Sequence, residues 1–180
     1  MHQDIEEILV SEDQLKQKVK QLGEQISEDY KGLNPLFIGI LKGAVPFLSD
    51  LVRQIQIPIE IDYMSVSSYG KAASSSGVVR ILKDLDTSIT DRHVLIVEDI
   101  VDTGLTLSYL VKLLQGRKPI SVRTVVLLDK KLCRKVSFEP DYQGFEIPNK
   151  FAVGYGMDFA ERYRNLPYVG VLKKEVYNLS

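Results

Sequence analysis

The chain has 180 residues, a formal net charge of −1, 44% hydrophobic and 26% charged residues, the balance of one soluble globular domain with a full core. That balance removes the electrostatic case for binding nucleic acid or a membrane surface, and no apolar run approaches the length of a membrane span. The single cysteine, Cys133, leaves no intrachain disulfide and no cysteine-based zinc cluster, and the polar, acidic start is unlike a signal peptide, so a cytoplasmic protein is expected.

Ser11 and Gln14 have the spacing of a capping box. Leu15, Val19, Leu22 and Ile26 follow at helical spacing and predict an amphipathic helix packed on a core. Residues 36–41 read as the first buried strand. It runs into Lys42, Gly43 and Ala44, and Pro46 suits the first turn of a helix carrying Phe47, Leu48, Leu51 and Val52. This Lys-Gly loop is either a plain turn with a solvated lysine or an anion site; local sequence leaves both open. Residues 57–63 alternate between apolar and polar, with Pro58 arguing for an edge position or a strand start. Small and polar residues dominate 65–77, around the lone aromatic Tyr69. A loop of that length is either a lid that closes on ligand or a disordered hairpin tip. Residues 78–82 form its returning arm, paired with 57–66.

Residues 94–97 are apolar and lead straight into Glu98 and Asp99. The loop Asp102, Thr103, Gly104, Leu105 and Thr106 comes next, and then a helix with Leu107, Leu110, Val111 and Leu114 inward and Gly116 as its cap. A strand that is apolar on both faces and polar at its carboxyl end is a buried parallel strand. Open α/β sheets bind ligands beyond such ends. Backbone N–H groups and two hydroxyls at a helix N-terminus suit a phosphate monoester. Glu98 and Asp99 would repel that phosphate, so they must face a cation or a neutral diol. A phosphoribosyl group carrying pyrophosphate has phosphate at one end, hydroxyls in the middle and metal-binding phosphates beyond, and it fits both halves.

Residues 121–128 form another strand, ending in Asp129 and Lys130. Cys133, beside Arg134 and Lys135, reads as a structural thiol. Shorter strands at 145–147 and 151–155 flank Pro148 and Asn149, then lead to Asp158, Arg162 and Arg164 before a last strand at 168–172. The alternation of strands and helices predicts an α/β fold with a mostly parallel central sheet flanked by helices. Its strand ends bring Lys42, Glu98 with Asp99, and Lys130 to one edge. A small C-terminal hood, residues 142–180 with the N-terminal segment, folds over them.

Taken together, these residues resemble the type I phosphoribosyltransferases. Residues 94–106 are similar to that family's phosphoribosyl pyrophosphate motif. The segments 41–44, 68–70, 128–130 and 144–158, with Arg164, narrow the resemblance to the hypoxanthine-guanine phosphoribosyltransferases along nearly the whole chain. The resemblance implies a single domain of that fold, working with Mg²⁺. It would move the phosphoribosyl group from phosphoribosyl pyrophosphate to hypoxanthine or guanine, giving IMP or GMP and pyrophosphate. Glu98 and Asp99 would hold the ribose hydroxyls and Mg²⁺. Asp102, Thr103, Gly104, Leu105 and Thr106 would hold the 5′-phosphate, with Asp102 also the proton acceptor near purine N7. Leu41, Lys42 and Gly43, a loop in which the family often has a non-proline cis peptide, would take pyrophosphate together with Arg164. Ser68 and Tyr69 would close as the lid. Lys130 would donate to O6 and so separate 6-oxo from 6-amino purines. Phe151 would stack on the purine, Ala152 would meet its edge through the backbone, and Asp158 would ligate a second Mg²⁺ beside the base.

Two positions depart from the mammalian pattern: Leu105 replaces a Lys and Ala44 a second Gly, which narrows backbone freedom there. The same resemblance implies a homodimer or homotetramer, with no nucleic acid and no membrane as partner. A xanthine-preferring relative remains open, because side chains do not reveal the contact to the purine 2-position. A nucleotide-sensing RNA-binding regulator on the same fold is opposed by the neutral charge and by the set Asp102, Lys130, Phe151 and Asp158. A receiver domain would need its acidic pair near the N-terminus, and Glu98 comes far too late.

Overall fold

The computed structural model describes residues 1–68 and 79–177, all but the side chain of Ser68. Its elements are β1 (Ile5–Val10), α1 (Glu12–Asp29), β2 (Leu36–Leu41), α2 (Val45–Val52), β3 (Glu60–Ser68) and β4 (Val79–Lys83). They continue as β5 (His93–Val101), α3 (Leu105–Gln115), β6 (Ser121–Asp129), β7 (Tyr142–Glu146), β8 (Ala152–Val153), β9 (Val169–Leu172) and α4 (Lys174–Tyr177). The main sheet has the order β4-β3-β2-β5-β6-β7. Its pairs are parallel except β3 with β4, the arms of the predicted hairpin.

The apolar runs explain the layering. Successive residues of a strand point to opposite faces, and here both faces are covered. Phe37, Leu95, Val97, Val125 and Leu127 pack under α1 and α2 with Leu15, Val19, Leu22, Phe47 and Leu51. Ile38, Ile40, Val94, Ile96 and Val126 pack on the other side with Leu107, Leu110 and Leu114 of α3. The helices begin as their sequences require. Ser11 and Gln14 complete a capping box, and Pro46 stands in the first turn of α2.

The strands expected at 145–147 and 151–155 are Tyr142–Glu146 and Ala152–Val153, and four further differences bear on the architecture. The strand expected at 57–63 is Glu60–Ser68, so Pro58 precedes it, and β4 takes the sheet edge instead. The strand expected at 94–97 continues to Val101, so Glu98 and Asp99 lie within it. Residues 5–10, read only as a polar start, form β1, which pairs antiparallel with β9 through Ile5 with Leu172 and Val10 with Val169. The hood was expected from residue 142, but β7 belongs to the main sheet, parallel to β6. Tyr142 is buried there and donates its hydroxyl to Asp29 of α1 at 2.7 Å. A Cβ at Gly144 would overlap the Leu127 carbonyl oxygen, so glycine permits the close pairing.

The hood is therefore the small sheet β1-β9-β8 with the segment between β8 and β9. Val10, Tyr155, Met157 and Val169 join it to the core beneath α1 and α2, and Tyr155 donates to Asp50 of α2 at 2.7 Å.

Candidate active site

The main sheet opens between β2 and β5. Their pairing stops at Gly39 with Val97, while β2 runs on to Leu41 paired with β3 alone. The β5–β6 pairing runs on through Glu98 to Val101. From β2 the chain crosses to β3 on one side; from β5 it crosses to β6 on the other. That reversal leaves a crevice at the carboxyl ends, the usual ligand position in such sheets. Glu98 and Asp99 stand on its floor, partly buried, beyond the last pairing with β2.

A cleft of about 560 Å³ fills the crevice. Its lining brings together Leu41, Lys42, Gly43, Glu98, Asp99, Asp102, Thr103, Gly104, Leu105, Thr106, Asp158 and Arg164. An adjoining hollow of about 200 Å³ is lined by Lys130, Phe151 and Ala152, and shares Asp99, Asp102 and Asp158 with the cleft. Every site residue expected from the sequence lies in one or both, except the lid pair. Tyr69 and the loop after it lie outside the described residues, as does the Ser68 side chain.

Gly104 shapes the anion loop. It caps α3 in the left-handed region, with φ of 78°. A Cβ there would lie 3.2 Å from Arg134 Cδ and Val136 Cγ2, so conformation and space both select glycine. At the facing loop the Leu41–Lys42 peptide is cis. Gly43 lies against Asp99, where a Cβ would overlap Oδ2, and Gly156 of the hood lies against the Gly43 carbonyl oxygen. The loop backbone is thus held between the Asp99 side chain and the hood backbone.

The charges divide along the cleft. Burial holds Glu98 well above the ordinary carboxylate range, and the neighbouring Asp99 charge adds to it. Burial raises Asp99 as well, against hydrogen bonds from Glu98 and the Ile100 N–H. Opposite them stand two cations. Arg164 donates through Nη1 to the Gly156 carbonyl at 2.8 Å and pairs through Nη2 with Asp158 at 2.9 Å. Its Nε is buried without a partner among the described residues. Lys42 Nζ lies 3.1 Å from Glu161 Oε2, and its hydrogen bond, helped by the Arg164 charge, lowers the Glu161 pKa.

Between cleft and hollow, Lys130 Nζ lies 3.0 Å from Asp102 Oδ1. The lysine is nearly buried, with 10% of its side chain exposed against 51% for the aspartate. Its own N–H donates to the Val101 carbonyl at 3.0 Å. Arg134 secures the same corner, donating through Nη1 to the carbonyls of Val101 and Asp102 at 3.2 and 2.7 Å and through Nη2 to the fully buried Asp129 at 2.6 Å. Sequence reasoning passed over Arg134 and Glu161. Their contacts to the site, Arg134 with Val101 and Glu161 with Lys42, span 33 and 119 positions.

A crevice at a strand-order reversal, with an acidic strand end beside a glycine-capped loop at a helix N-terminus, is where open α/β sheets bind their ligands. Residues 7–160 match the phosphoribosyl transferase domain family. The hypoxanthine-guanine phosphoribosyltransferase of Bacillus subtilis strain 168 is 55% identical over 177 residues, 98% of each chain. A hypoxanthine phosphoribosyltransferase structure from Staphylococcus aureus superposes with a TM-score of 0.96 at 48% identity, covering 98% of this chain and 96% of that one. The bifunctional TilS/HprT protein of Listeria innocua is 55% identical over 99% of this chain, which spans only 28% of that protein's length. The chain belongs to the phosphoribosyltransferases, and within them to the hypoxanthine-guanine family.

Proposed function

We propose that this chain transfers the 5-phosphoribosyl group from phosphoribosyl pyrophosphate to hypoxanthine and guanine, a purine-salvage reaction yielding IMP or GMP and pyrophosphate. The observation that carries the reading is the pair Lys130 Nζ and Asp102 Oδ1, 3.0 Å apart at the seam between cleft and hollow. A 6-oxopurine presents an acceptor, O6, beside a ring nitrogen that can bear a proton. Lys130 donates to the first and Asp102 accepts from the second. Adenine sets an amino donor against the lysine donor in place of that acceptor.

In this reading the amides and hydroxyls from Asp102 to Thr106 take the 5′-phosphate, and Glu98 and Asp99 accept from the ribose hydroxyls. A purine nitrogen bonds to ribose C1 as the C1–O bond to pyrophosphate breaks. The electron pair leaves with pyrophosphate, and the purine N–H proton passes to Asp102. Lys42 and Arg164 stabilise the departing charge. Phe151 covers the base face, Ala152 meets its edge through the backbone, and Ser68 and Tyr69 close over the reacting centre against water. Self-association as a homodimer or homotetramer and a cytoplasmic location belong to the same reading; among the described residues no helix is long and apolar enough to cross a membrane.

The donors also fit Mg²⁺. Glu98 and Asp99 are a buried acidic pair, and the described residues hold no cluster of three or more side chains that could bind a metal alone. Mg²⁺ is commonly held by one or two carboxylates with substrate phosphates completing its shell. Bound there, and with a second ion at Asp158, it would supply charge stabilisation to the leaving pyrophosphate.

A pH effect follows. A cation binds the ionised pair, and burial shifts the free pair toward its protonated form. Binding of Mg²⁺ with phosphoribosyl pyrophosphate therefore releases protons and tightens as pH rises through the raised range of Glu98 and Asp99. Calorimetry in two buffers of different ionisation heat should give buffer-dependent heats at mildly acidic pH that converge at alkaline pH. Buffer-independent heats under both conditions would mean that the pair is charged beforehand.

The function itself is tested by supplying phosphoribosyl pyrophosphate and Mg²⁺ with hypoxanthine, guanine, xanthine or adenine separately. Nucleotide is expected from hypoxanthine and guanine and not from adenine. Xanthine as the preferred base would select the xanthine-preferring relative. No nucleotide from any base, with retention on RNA, would replace the enzyme by the regulator.

A further inference from the structure

Phe151 makes a poor wall by itself. It is 39% exposed and precedes a strand of two residues. Its ring is backed, however, by the C-terminal segment. Tyr177 stacks on Phe151 with ring centroids 5.0 Å apart and planes 21° apart. Phe159, next to Asp158, meets Phe151 edge-on at 5.7 Å and 88° and reaches Tyr177 at 6.5 Å and 67°. The hollow beside Lys130 is lined by Phe151 but by neither Tyr177 nor Phe159, so those two rings contact the wall without forming it.

The backing is itself anchored. Tyr177 and Val176 pack on the hood core of Val153, Tyr163, Leu166 and Leu172. Leu172 N–H donates to the Phe151 carbonyl and Lys173 N–H to the Asp4 carbonyl, both at 2.9 Å. The chain that delivers Tyr177 is thus tied on one side to Phe151 and on the other to the N-terminal segment. A stacked partner restricts the ring plane of an aromatic side chain and adds favourable energy beyond area burial. A ring already oriented loses less freedom when a ligand stacks on it.

We propose that Tyr177 is a positioning residue of the purine site, which fixes the ring plane of Phe151 from behind. The inference rests on the reading above, in which Phe151 stacks on the base. It makes the C-terminal segment part of base binding, although that segment lines neither the cleft nor the hollow.

The test compares Phe151→Ala, Tyr177→Ala and Tyr177→Phe in the full chain, measuring KM for each substrate, kcat and thermal unfolding. Tyr177→Ala should raise KM for hypoxanthine about threefold to tenfold. KM for phosphoribosyl pyrophosphate and kcat should stay within about twofold, since the lost order concerns base binding alone. Tyr177→Phe keeps the ring and should restore the wild-type KM. Should Tyr177→Ala lose the fold, Tyr177→Leu, which keeps apolar bulk without a flat face, carries the same expectation. An unchanged hypoxanthine KM in Tyr177→Ala would overturn the proposal, and a lowered one would show the ring competing with the base. Equal damage in Tyr177→Phe would also overturn it. If Phe151→Ala leaves the hypoxanthine KM unchanged, the base-stacking reading itself fails. If Phe151→Ala raises that KM and Tyr177→Ala does not, only the role of Tyr177 fails.

Discussion

An Asp102→Asn variant should turn over hypoxanthine about 10²-fold more slowly or worse, with KM for phosphoribosyl pyrophosphate within about threefold of wild type. Asparagine is nearly isosteric and keeps a carbonyl oxygen for Lys130 to donate to, at the position where Oδ1 now lies 3.0 Å from Nζ. The Asp102 backbone, whose carbonyl is held by Arg134 at 2.7 Å, remains free to serve the 5′-phosphate loop. The capacity to accept a proton disappears, together with the charge paired with Lys130. Stability should barely move: half of the Asp102 side chain is exposed, and ion pairs open to solvent contribute about 1 kcal/mol or less. Steady-state kinetics beside a thermal melt separate the two effects. Unchanged turnover in a folded variant would remove Asp102 from the proton transfer.

The second large effect concerns base choice. Lys130→Met keeps the length of the side chain and removes its only donors. A hydrogen bond from a charged group contributes about 1.5–3 kcal/mol, so kcat/KM for hypoxanthine should fall roughly 10- to 150-fold. Adenine gains by contrast, because a buried cation no longer faces its amino group, and the preference for the 6-oxopurine should shrink by a similar factor. KM for phosphoribosyl pyrophosphate should change little, since Lys130 lines the hollow and not the larger cleft. Competition assays with both bases measure the ratio. A preserved preference would assign discrimination elsewhere, with the backbone around Ala152 the nearest alternative.

Much of the framework was legible because burial on both faces leaves a local record. The runs at 36–41, 94–97 and 125–128 are apolar without alternation, as strands between two helical layers must be, and each leads into polar residues that line the site. Elements stabilised from far away left no such record. Glu6 and Glu7 are exposed, so β1 reads as a polar start; what makes it a strand is β9, where Glu7 faces Val171. Tyr142 belongs to the main sheet because α1 covers it and Asp29 takes its hydroxyl, neither of which 142–146 itself encodes.

The site divides in the same way. Glu98, Asp99 and the loop to Thr106 are contiguous, and their incompatibility beside a phosphate already implied a ligand of mixed chemistry. Asp102 and Lys130 were legible singly, but their contact required the β5–β6 register that sets Val101 beside Asp129. Arg134, Glu161 and Tyr177 become visible only when distant segments converge. Arg134 ties two strand ends, Glu161 bridges Lys42 and Arg164, and Tyr177 backs Phe151.

The most direct test is a crystal structure of the protein with IMP, pyrophosphate and Mg²⁺. The account predicts the 5′-phosphate on the amides from Asp102 to Thr106, the ribose hydroxyls at Glu98 and Asp99, and O6 on Lys130. The base should lie along Phe151, and pyrophosphate should lie between Lys42 and Arg164. A nucleotide bound with its phosphate away from the α3 N-terminus, or with Lys130 turned from the base, would contradict it.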